Sequence, residues 1–217
     1  MSITAEMVRK LREETGAGMM ECKSALVEAT GDAEKAREIL RKKGLASAAK
    51  KAGRAANEGV VGTYIHPGSQ VGALVEINCE TDFVAKTPEF QALVKDIAMH
   101  VTAASPAAAL YVTKDEVPRN VLDKEKEIYR AQAAAQGKPA NVQDKIAEGK
   151  LNEFYQTFCL LEQPFVKDPK LTVGQLIQEK IAVIKENIVV RRFARFKVGE
   201  EIAAKVPTPP APVTVGA

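Results

Sequence analysis

Hydrophobic residues in the N-terminal part of the chain recur at the three- and four-residue spacing of amphipathic helices. Two breaks, at 15–18 and 31–32, divide this pattern into separate helical segments. Thr4 is a suitable N-cap for the first segment and Asp32 for the last, and Gly44 stands where a glycine would end the last helix. The pattern therefore predicts a small three-helix bundle with tight turns.

The apolar pattern then changes to that of β-strands. Residues 59–66 predict a strand, 67–70 a hairpin turn and 72–79 the partner strand. Near the C-terminus, the β-branched and aromatic residues of 188–196 predict another strand, and 110–112 predict a short one. A small antiparallel sheet follows from these segments.

Helical spacing returns between the predicted strands. It predicts helices over 88–104, about 118–135 and about 142–157, and Thr172 is a suitable cap for a further helix that runs to about 185. Helices that cover a small antiparallel sheet define an α+β fold. The fold class that we expect is therefore α+β.

Composition and chain breaks divide the sequence into four parts. We expect the three-helix domain in 1–45, a helical linker rich in Ala, Lys and Arg in 46–57, and the α+β core in 58–203. The core includes a helical hairpin at about 118–157. Residues 204–217 hold several prolines without apolar periodicity, so we expect them to form a disordered tail.

The composition is typical of a soluble globular protein, since 46% of the 217 residues are hydrophobic and 27% are charged. The formal net charge is only +3 and the cations are interleaved with acids, so charge alone does not argue for nucleic acid as a partner. The 3 cysteines are widely spaced and form no disulfide or zinc pattern, which fits a reducing cytoplasm. Neither a signal peptide nor a membrane-spanning apolar run is visible, so we expect a cytoplasmic protein without a membrane partner.

No set of residues assembles into a catalytic or metal-binding motif. His66 and His100 have no nucleophile or metal-ligand spacing near them, and the glycines of 16–18 lack the preceding strand and the ending of a phosphate loop. Glu80 and Asp82 are separated by a single residue, which is a common arrangement of carboxylates. We therefore expect no enzymatic activity, no metal site and no cofactor.

Residues 78–86 follow a predicted buried strand and precede a helix, a position where functional side chains are commonly presented. Asp82 offers a carboxylate, and the adjacent Phe83 offers a large aromatic surface. This pair is suited to probing another macromolecule rather than to binding a small substrate. The alternative is that Asp82 N-caps the next helix while Phe83 packs into the core, and the segment taken alone favours this alternative.

Two methionines, Met19 and Met20, open the second predicted helix. Adjacent helical positions differ by about 100° around the axis, so both side chains cannot face the same core. One of them is therefore expected near the surface, where a flexible thioether suits an adaptable interface. Lys23 extends from the same turn, and the alternative for this surface is a solvated helix edge.

The segment Arg191–Lys197 mixes arginines with phenylalanines, as binders of single-stranded nucleic acid do. The alternative is a strand in which Phe193 or Phe196 faces the sheet core and the arginines lie at the edge. The low net charge and the aromatic content of only 5% favour this structural alternative.

Several segments resemble, in order along the chain, the signature regions of the translation elongation factor Ts family. The two longer ones are Leu11–Lys23 and Val75–Ala85, and the shorter ones are Glu58–Val61, Leu160–Val166 and Val190–Phe193. The resemblance covers nearly the whole chain except its Pro-rich end. It is specific because long and short segments match in the same order.

The resemblance implies a guanine-nucleotide exchange factor for elongation factor Tu, the GTPase that carries aminoacyl-tRNA to the ribosome. It implies that the N-terminal three-helix domain is ubiquitin-associated-like and docks on the GTPase domain through Met19, Met20 and Lys23. It further implies that a loop of the core enters between helices of the GTPase near its nucleotide and magnesium site. The residues of that loop are Thr81, Asp82, Phe83 and Val84.

Longer members of the family carry two related core subdomains and a projecting coiled coil. This chain matches one subdomain, and the helices at 118–157 are a short counterpart of the projection. The short form can pair with itself, so the resemblance implies a homodimer without a direct nucleic-acid partner. The alternative function is an RNA-binding or ribosome-associated assembly protein that uses Arg191–Lys197.

Overall fold

Helices and a small antiparallel sheet combine into the α+β fold that the sequence predicts. The computed structural model describes residues 3–200, and the Pro-rich tail expected at 204–217 lies outside the described residues. The described chain opens with α1 (Ala5–Thr15), α2 (Met19–Glu28) and α3 (Ala33–Lys51).

The predicted N-caps of α1 and α3 are confirmed. The hydroxyl of Thr4 accepts a hydrogen bond from the first turn of α1, and the carboxylate of Asp32 accepts two from the first turn of α3. The residues buried between these helices are Val8, Leu11, Cys22, Ala25, Leu26, Ala29 and Ala36. Because several of them are alanines, which bury little apolar area, hydrophobic burial gives this bundle only modest stabilisation.

The expected hairpin consists of β1 (Glu58–Ile65) and β2 (Val71–Cys79), which pair antiparallel. The short helix α4 (Asp82–Ala85) follows β2 directly, and α5 (Pro88–Ala103) then packs across one face of the hairpin. The apolar spacing that predicted α5 is confirmed.

The predicted helical hairpin is formed by α6 (Arg119–Ala135) and α7 (Ala140–Phe158). The short strand predicted at 110–112 is wrong, because Tyr111 makes only an isolated bridge to Cys159. The chain turns into a 3-10 helix immediately after Cys159, so no extended partner is available to continue the pairing.

The last part of the described chain contains β3 (Pro164–Phe165), β4 (Asp168–Thr172), α8 (Val173–Ile184) and β5 (Val189–Lys197). The sequence indicated only chain breaks where β3 and β4 form a separate two-stranded ribbon. The predicted cap of α8, Thr172, is confirmed. Strand β5 adds to the hairpin, and the three-stranded sheet has the antiparallel order β1-β2-β5.

The main core lies between one face of this sheet and helices α5 and α8. Its largest buried side chains include Ile77, Phe90, Leu93, Ile97 and Leu160. Gly62 of β1 permits close packing of α5, because a Cβ at this position would lie 2.1 Å from Cγ1 of Val94. The other face of the sheet retains exposed apolar residues.

The prediction that Gly44 ends the third helix is wrong. Helix α3 continues to Lys51 and includes the first part of the linker expected at 46–57. At Gly44, α3 packs so closely on α8 that an added Cβ would lie 3.0 Å from Cβ of Ala182. A close approach between two helices therefore explains this glycine.

Candidate functional site

The segment Thr81–Val84 follows β2 and comprises the N-cap and first residues of α4, and we call it the β2–α4 turn. It presents the aromatic residue that the sequence singled out. The hydroxyl of Thr81 accepts a hydrogen bond from the amide of Val84 at 3.3 Å, so Thr81 is the N-cap of α4. The alternative that Asp82 is the cap and Phe83 is in the core is therefore wrong. Phe83 is 79% exposed.

The exposure of Phe83 contrasts with the burial of its neighbours. Ala85 is buried in the main core, and Val84 packs against that core while half-buried. These two residues anchor α4, whereas the aromatic ring projects into solvent. Phe83 is therefore an exposed aromatic side chain on an element whose neighbouring apolar residues are held by the core.

Asp82 lies beside Phe83 and is partly paired. The ammonium of Lys86, one helical turn away, lies 2.6 Å from its carboxylate. The hydrogen bond from Lys86 lowers the pKa of Asp82, so the carboxylate is charged at neutral pH. This ion pair is solvent-exposed, so it contributes little to stability and leaves the carboxylate accessible.

Sequence reasoning missed the residue that supports the β2–α4 turn, Glu186. One oxygen of its carboxylate accepts hydrogen bonds from the amides of Glu80, at 3.1 Å, and Thr81, at 3.0 Å. The other oxygen accepts one from the hydroxyl of Thr81 at 2.7 Å. No local signal in the sequence points to this residue, because the pairing of β2 with β5 brings it to the turn.

The second group of predicted residues lies on one surface of α2, which we call the α2 face: Met19, Met20 and Lys23. The sequence predicted that one methionine is near the surface, and in the structure both are exposed, Met19 by 45% and Met20 by 73%. Val27 is also exposed and continues the α2 face by another turn. The seven-residue spacing from Met20 to Val27 is the signal that could have identified it.

An ion pair connects the α2 face with the loop that holds the β2–α4 turn. Glu21, adjacent to Met20, pairs with the ammonium of Lys185 at 2.8 Å. Lys185 immediately precedes Glu186. Glu21, Lys185 and the adjacent Glu186 thus form a path of contacts from α2 to the β2–α4 turn.

The basic strand matches its structural alternative more closely than a nucleic-acid surface. Arg192 pairs with Glu76 at 2.6 Å, and Arg195 pairs with Glu200 at 2.7 Å. Phe193 packs against the main core, whereas Phe196 is exposed. Cations that are paired with carboxylates contribute little to a field that attracts phosphate.

Other kinds of site receive no support from the described chain. Within residues 3–200, no group of three or more His, Cys, Asp or Glu side chains is placed to hold a metal ion. The same residues include no helix that is long and apolar enough to cross a membrane. Cys22, Cys79 and Cys159 are free and buried.

Known proteins are similar in sequence to this chain over almost its whole length. The sequence profile of a family described as Elongation factor TS matches residues 47–200. A protein named Elongation factor Ts from Carboxydothermus hydrogenoformans is 62% identical over 203 residues, which cover 94% of this chain and 92% of that protein. A second, from Caldanaerobacter subterraneus subsp. tengcongensis, is 61% identical over 200 residues, or 92% of this chain and 98% of that protein.

A third protein of the same name, from Geobacter sulfurreducens, is 60% identical over 205 residues and 94% of each chain. The high coverage on both sides shows that these relatives are similar in length to this chain. The profile match spans the core, and the relatives extend the match through the N-terminal helices. The chain therefore belongs to the elongation factor Ts family.

Proposed function

We propose that this protein is the guanine-nucleotide exchange factor of elongation factor Tu and acts in the cytoplasm during translation elongation. Membership of the elongation factor Ts family supports this role. The observation that carries the mechanism is the exposure of Phe83 on a turn whose neighbours are anchored in the core. Such a turn can enter a partner without losing its own support.

In the proposed mechanism, Phe83 wedges between helices of the GTPase near its nucleotide site. Asp82 disturbs the contacts that position the ligands of the partner's magnesium ion, Val84 adds apolar contact and Thr81 fixes the turn. Mg²⁺ requires nearly ideal octahedral oxygen ligation, so a small displacement of a supporting helix weakens its site. Bound nucleotide is then released more easily.

The energetics require a second point of contact. A thousandfold acceleration of release corresponds to roughly 4 kcal/mol. Burial of one aromatic side chain contributes about 2–3 kcal/mol. We therefore propose that the helices of residues 1–45 form a ubiquitin-associated-like docking domain, which supplies further binding energy through Met19, Met20 and Lys23.

Linkage makes the effect reciprocal. If the factor weakens nucleotide binding by a given ratio, the nucleotide weakens binding of the factor by the same ratio. Rebinding of GTP then expels the factor, which can act again. The protein accelerates exchange without making or breaking a covalent bond, so it is not an enzyme in the chemical sense.

We further propose that two copies pair through the sheet face that α5 leaves uncovered. Exposed apolar residues on this face include Val61, Ile65, Leu74 and Phe196. The strand register brings Ile65 and Phe196 to opposite sides of Gly72, so they form one patch. A contiguous exposed patch of this kind is typical of an interface, and its pairing with a second copy gives a two-fold dimer.

The dimer is tested by sedimentation of the wild type and of the Phe196→Glu variant. We expect the wild type to sediment as a dimer and the variant as a monomer, because pairing would bury the new charge in an apolar interface. A wild type that remains monomeric at high concentration contradicts the dimer but leaves the exchange mechanism intact.

The exchange function is tested by release of a fluorescent GDP analogue from purified elongation factor Tu. We expect wild-type protein to accelerate release, and Asp82→Ala and Phe83→Ala to slow exchange more than they weaken binding. Chelation of magnesium is the positive control, because it releases nucleotide from a competent GTPase without the factor. The proposal fails if chelation accelerates release and the wild-type protein does not.

A further inference from the structure

The loop between α8 and β5, residues 185–188, contacts parts of the chain that are distant in sequence; we call it the junction loop. Lys185 pairs with Glu21 of α2. Glu186 accepts hydrogen bonds from Glu80 and Thr81. The side chain of Asn187 donates to the backbone carbonyl of Arg54, at 2.8 Å, just after α3. The junction loop therefore contacts the N-terminal helices, the connection after them and the β2–α4 turn.

The junction loop and the β2–α4 turn hold each other through reciprocal hydrogen bonds. Glu186 accepts from the backbone amides of Glu80 and Thr81 and from the hydroxyl of Thr81. In return, the amide of Asn187 donates to the carboxylate of Glu80 at 2.6 Å. Both carboxylates thus accept backbone hydrogen bonds across the same junction, and bonds to charged acceptors are stronger than neutral ones.

The hydrogen bond between Glu186 and Thr81 also orients helix α4. The hydroxyl of Thr81 donates its proton to Glu186, and this bond restrains the oxygen in the position from which it also accepts from the amide of Val84. That second bond is the N-cap of α4. The direction of α4, and with it the direction of Phe83, therefore depends on the carboxylate of Glu186.

We propose that Glu186 is a positioning residue for nucleotide exchange, which holds the β2–α4 turn, and with it Phe83, in a fixed direction. The inference rests on the proposed exchange function. The hydrogen bonds of Glu186 in the described chain reach one residue that we expect to contact the partner, Thr81. Its contribution is to order the β2–α4 turn before binding, so that less ordering is required during exchange.

Two substitutions separate positioning from charge. Glu186→Ala removes every hydrogen bond to the turn. In Glu186→Gln, the amide oxygen can still accept from the backbone amides of 80 and 81, and the amide nitrogen can donate to the hydroxyl of Thr81. The matched control is Glu89→Ala. It removes an exposed carboxylate that pairs with Lys180 of α8 at 3.0 Å and lies outside the β2–α4 turn.

The first measurement is amide hydrogen exchange at Glu80 and Thr81 in the isolated protein. We expect these amides to exchange at least about tenfold faster in Glu186→Ala, because they lose their hydrogen-bond acceptor, and to stay protected in Glu186→Gln, which keeps an acceptor oxygen, and in Glu89→Ala. This measurement needs no partner. It therefore tests the support of the turn even if the proposed exchange function fails.

The second measurement is release of the fluorescent GDP analogue at increasing concentrations of each variant. We expect Glu186→Ala to lower the saturating rate about tenfold while the half-saturating concentration changes little, and Glu186→Gln to restore most of the rate. A saturating rate of nucleotide release in Glu186→Ala equal to that of the wild type overturns the inference. Equal losses in the Ala and Gln variants, or a loss confined to the half-saturating concentration, also overturn it.

Discussion

The β2–α4 turn and the α2 face both leave large apolar side chains in water, but they are supported in different ways. The residues of the α2 face belong to one helix, so helical geometry alone places Met20 and Lys23 on neighbouring positions of its surface. The β2–α4 turn has a single turn of helix, and its direction depends on Glu186, 105 residues away from Thr81.

This difference suggests that the two regions perform separable tasks. A surface on a regular helix tolerates local change and is suited to providing affinity. A short helix held by hydrogen bonds from a distant loop is suited to presenting one side chain in a defined direction. We therefore expect substitutions in the two regions to affect different kinetic parameters.

The largest effect is expected for Phe83→Ala. Loss of the aromatic contact should lower the saturating rate of nucleotide release by about 30- to 150-fold, because burial of such a ring contributes about 2–3 kcal/mol. The free energy of unfolding should change by less than about 0.5 kcal/mol, because the ring is exposed. Stopped-flow release of a fluorescent GDP analogue and urea unfolding measure the two quantities.

Leu110→Ala is the matched control for Phe83→Ala, because Leu110 is also largely exposed, by 61%, and lies outside both regions. We expect its exchange rate to equal that of the wild type. A large loss of stability in Phe83→Ala would mean that the ring supports the fold, and the contrast between the two regions would then fail.

The next largest effect is expected for Met20→Ala. Removal of this exposed thioether should raise the half-saturating concentration of the factor by about tenfold, with little change in the saturating rate. Ile128→Ala, at a partly exposed position of α6, is the control and should leave both parameters unchanged. A fall in the saturating rate for Met20→Ala would show that the α2 face does more than provide affinity.

A smaller effect, on the free energy of unfolding, is expected when acid protonates His100, a core residue remote from both regions. His100 is buried, its Nδ1 accepts from the amide of Val166 at 3.1 Å, and its Nε2 donates to Gln163 at 3.0 Å. Burial lowers the pKa of His100, so the unfolded chain binds this proton more readily than the folded chain. The resulting stability is present above the unfolded pKa of about 6.5 and is lost as the pH falls below it.

Between pH 6.5 and 5.5, we expect protonation of His100 to lower the free energy of unfolding by at most about 1.4 kcal/mol per pH unit. Urea unfolding at several pH values measures the slope, and the His100→Gln variant should reduce it. If the slope is the same in the wild type and in the variant, other groups cause the acid sensitivity.

The smallest effect is expected for Lys86→Gln. Loss of the ion pair should return the pKa of Asp82 toward its ordinary range, which an NMR titration of the carboxyl group can follow. The unfolding midpoint should not change, because exposed ion pairs contribute little to stability, and the exchange rate should change by less than about threefold. A larger loss of exchange would mean that Lys86 itself contacts the partner.

Much of the fold was predictable because its signals are local. The N-caps Thr4, Asp32 and Thr172 each act on the turn that follows them, so the sequence around them suffices. The errors arose where a distant part of the chain decided the outcome. Gly44 has the composition signal of a helix end, but its role is to permit α8 to approach α3.

The candidate site divides in the same way. The sequence predicted that Asp82, Phe83 and the methionines of α2 are interaction residues, mainly through the family resemblance. Taken alone, the local pattern favoured a buried Phe83. Burial depends on which side of α4 faces the core, and the packing of Val84 and Ala85 on the main core decided this.

The sequence by itself determined most of the helices, the three strands of the main sheet, the caps Thr4, Asp32 and Thr172 and the family, since periodicity, capping and motifs act over a few residues. Only the tertiary structure decided that Phe83 is exposed and that Glu186 supports its turn. The physical reason is that β2 pairs with β5, which follows it by more than a hundred residues. That pairing brings one carboxylate to the amides it holds, and no local sequence pattern encodes such a contact.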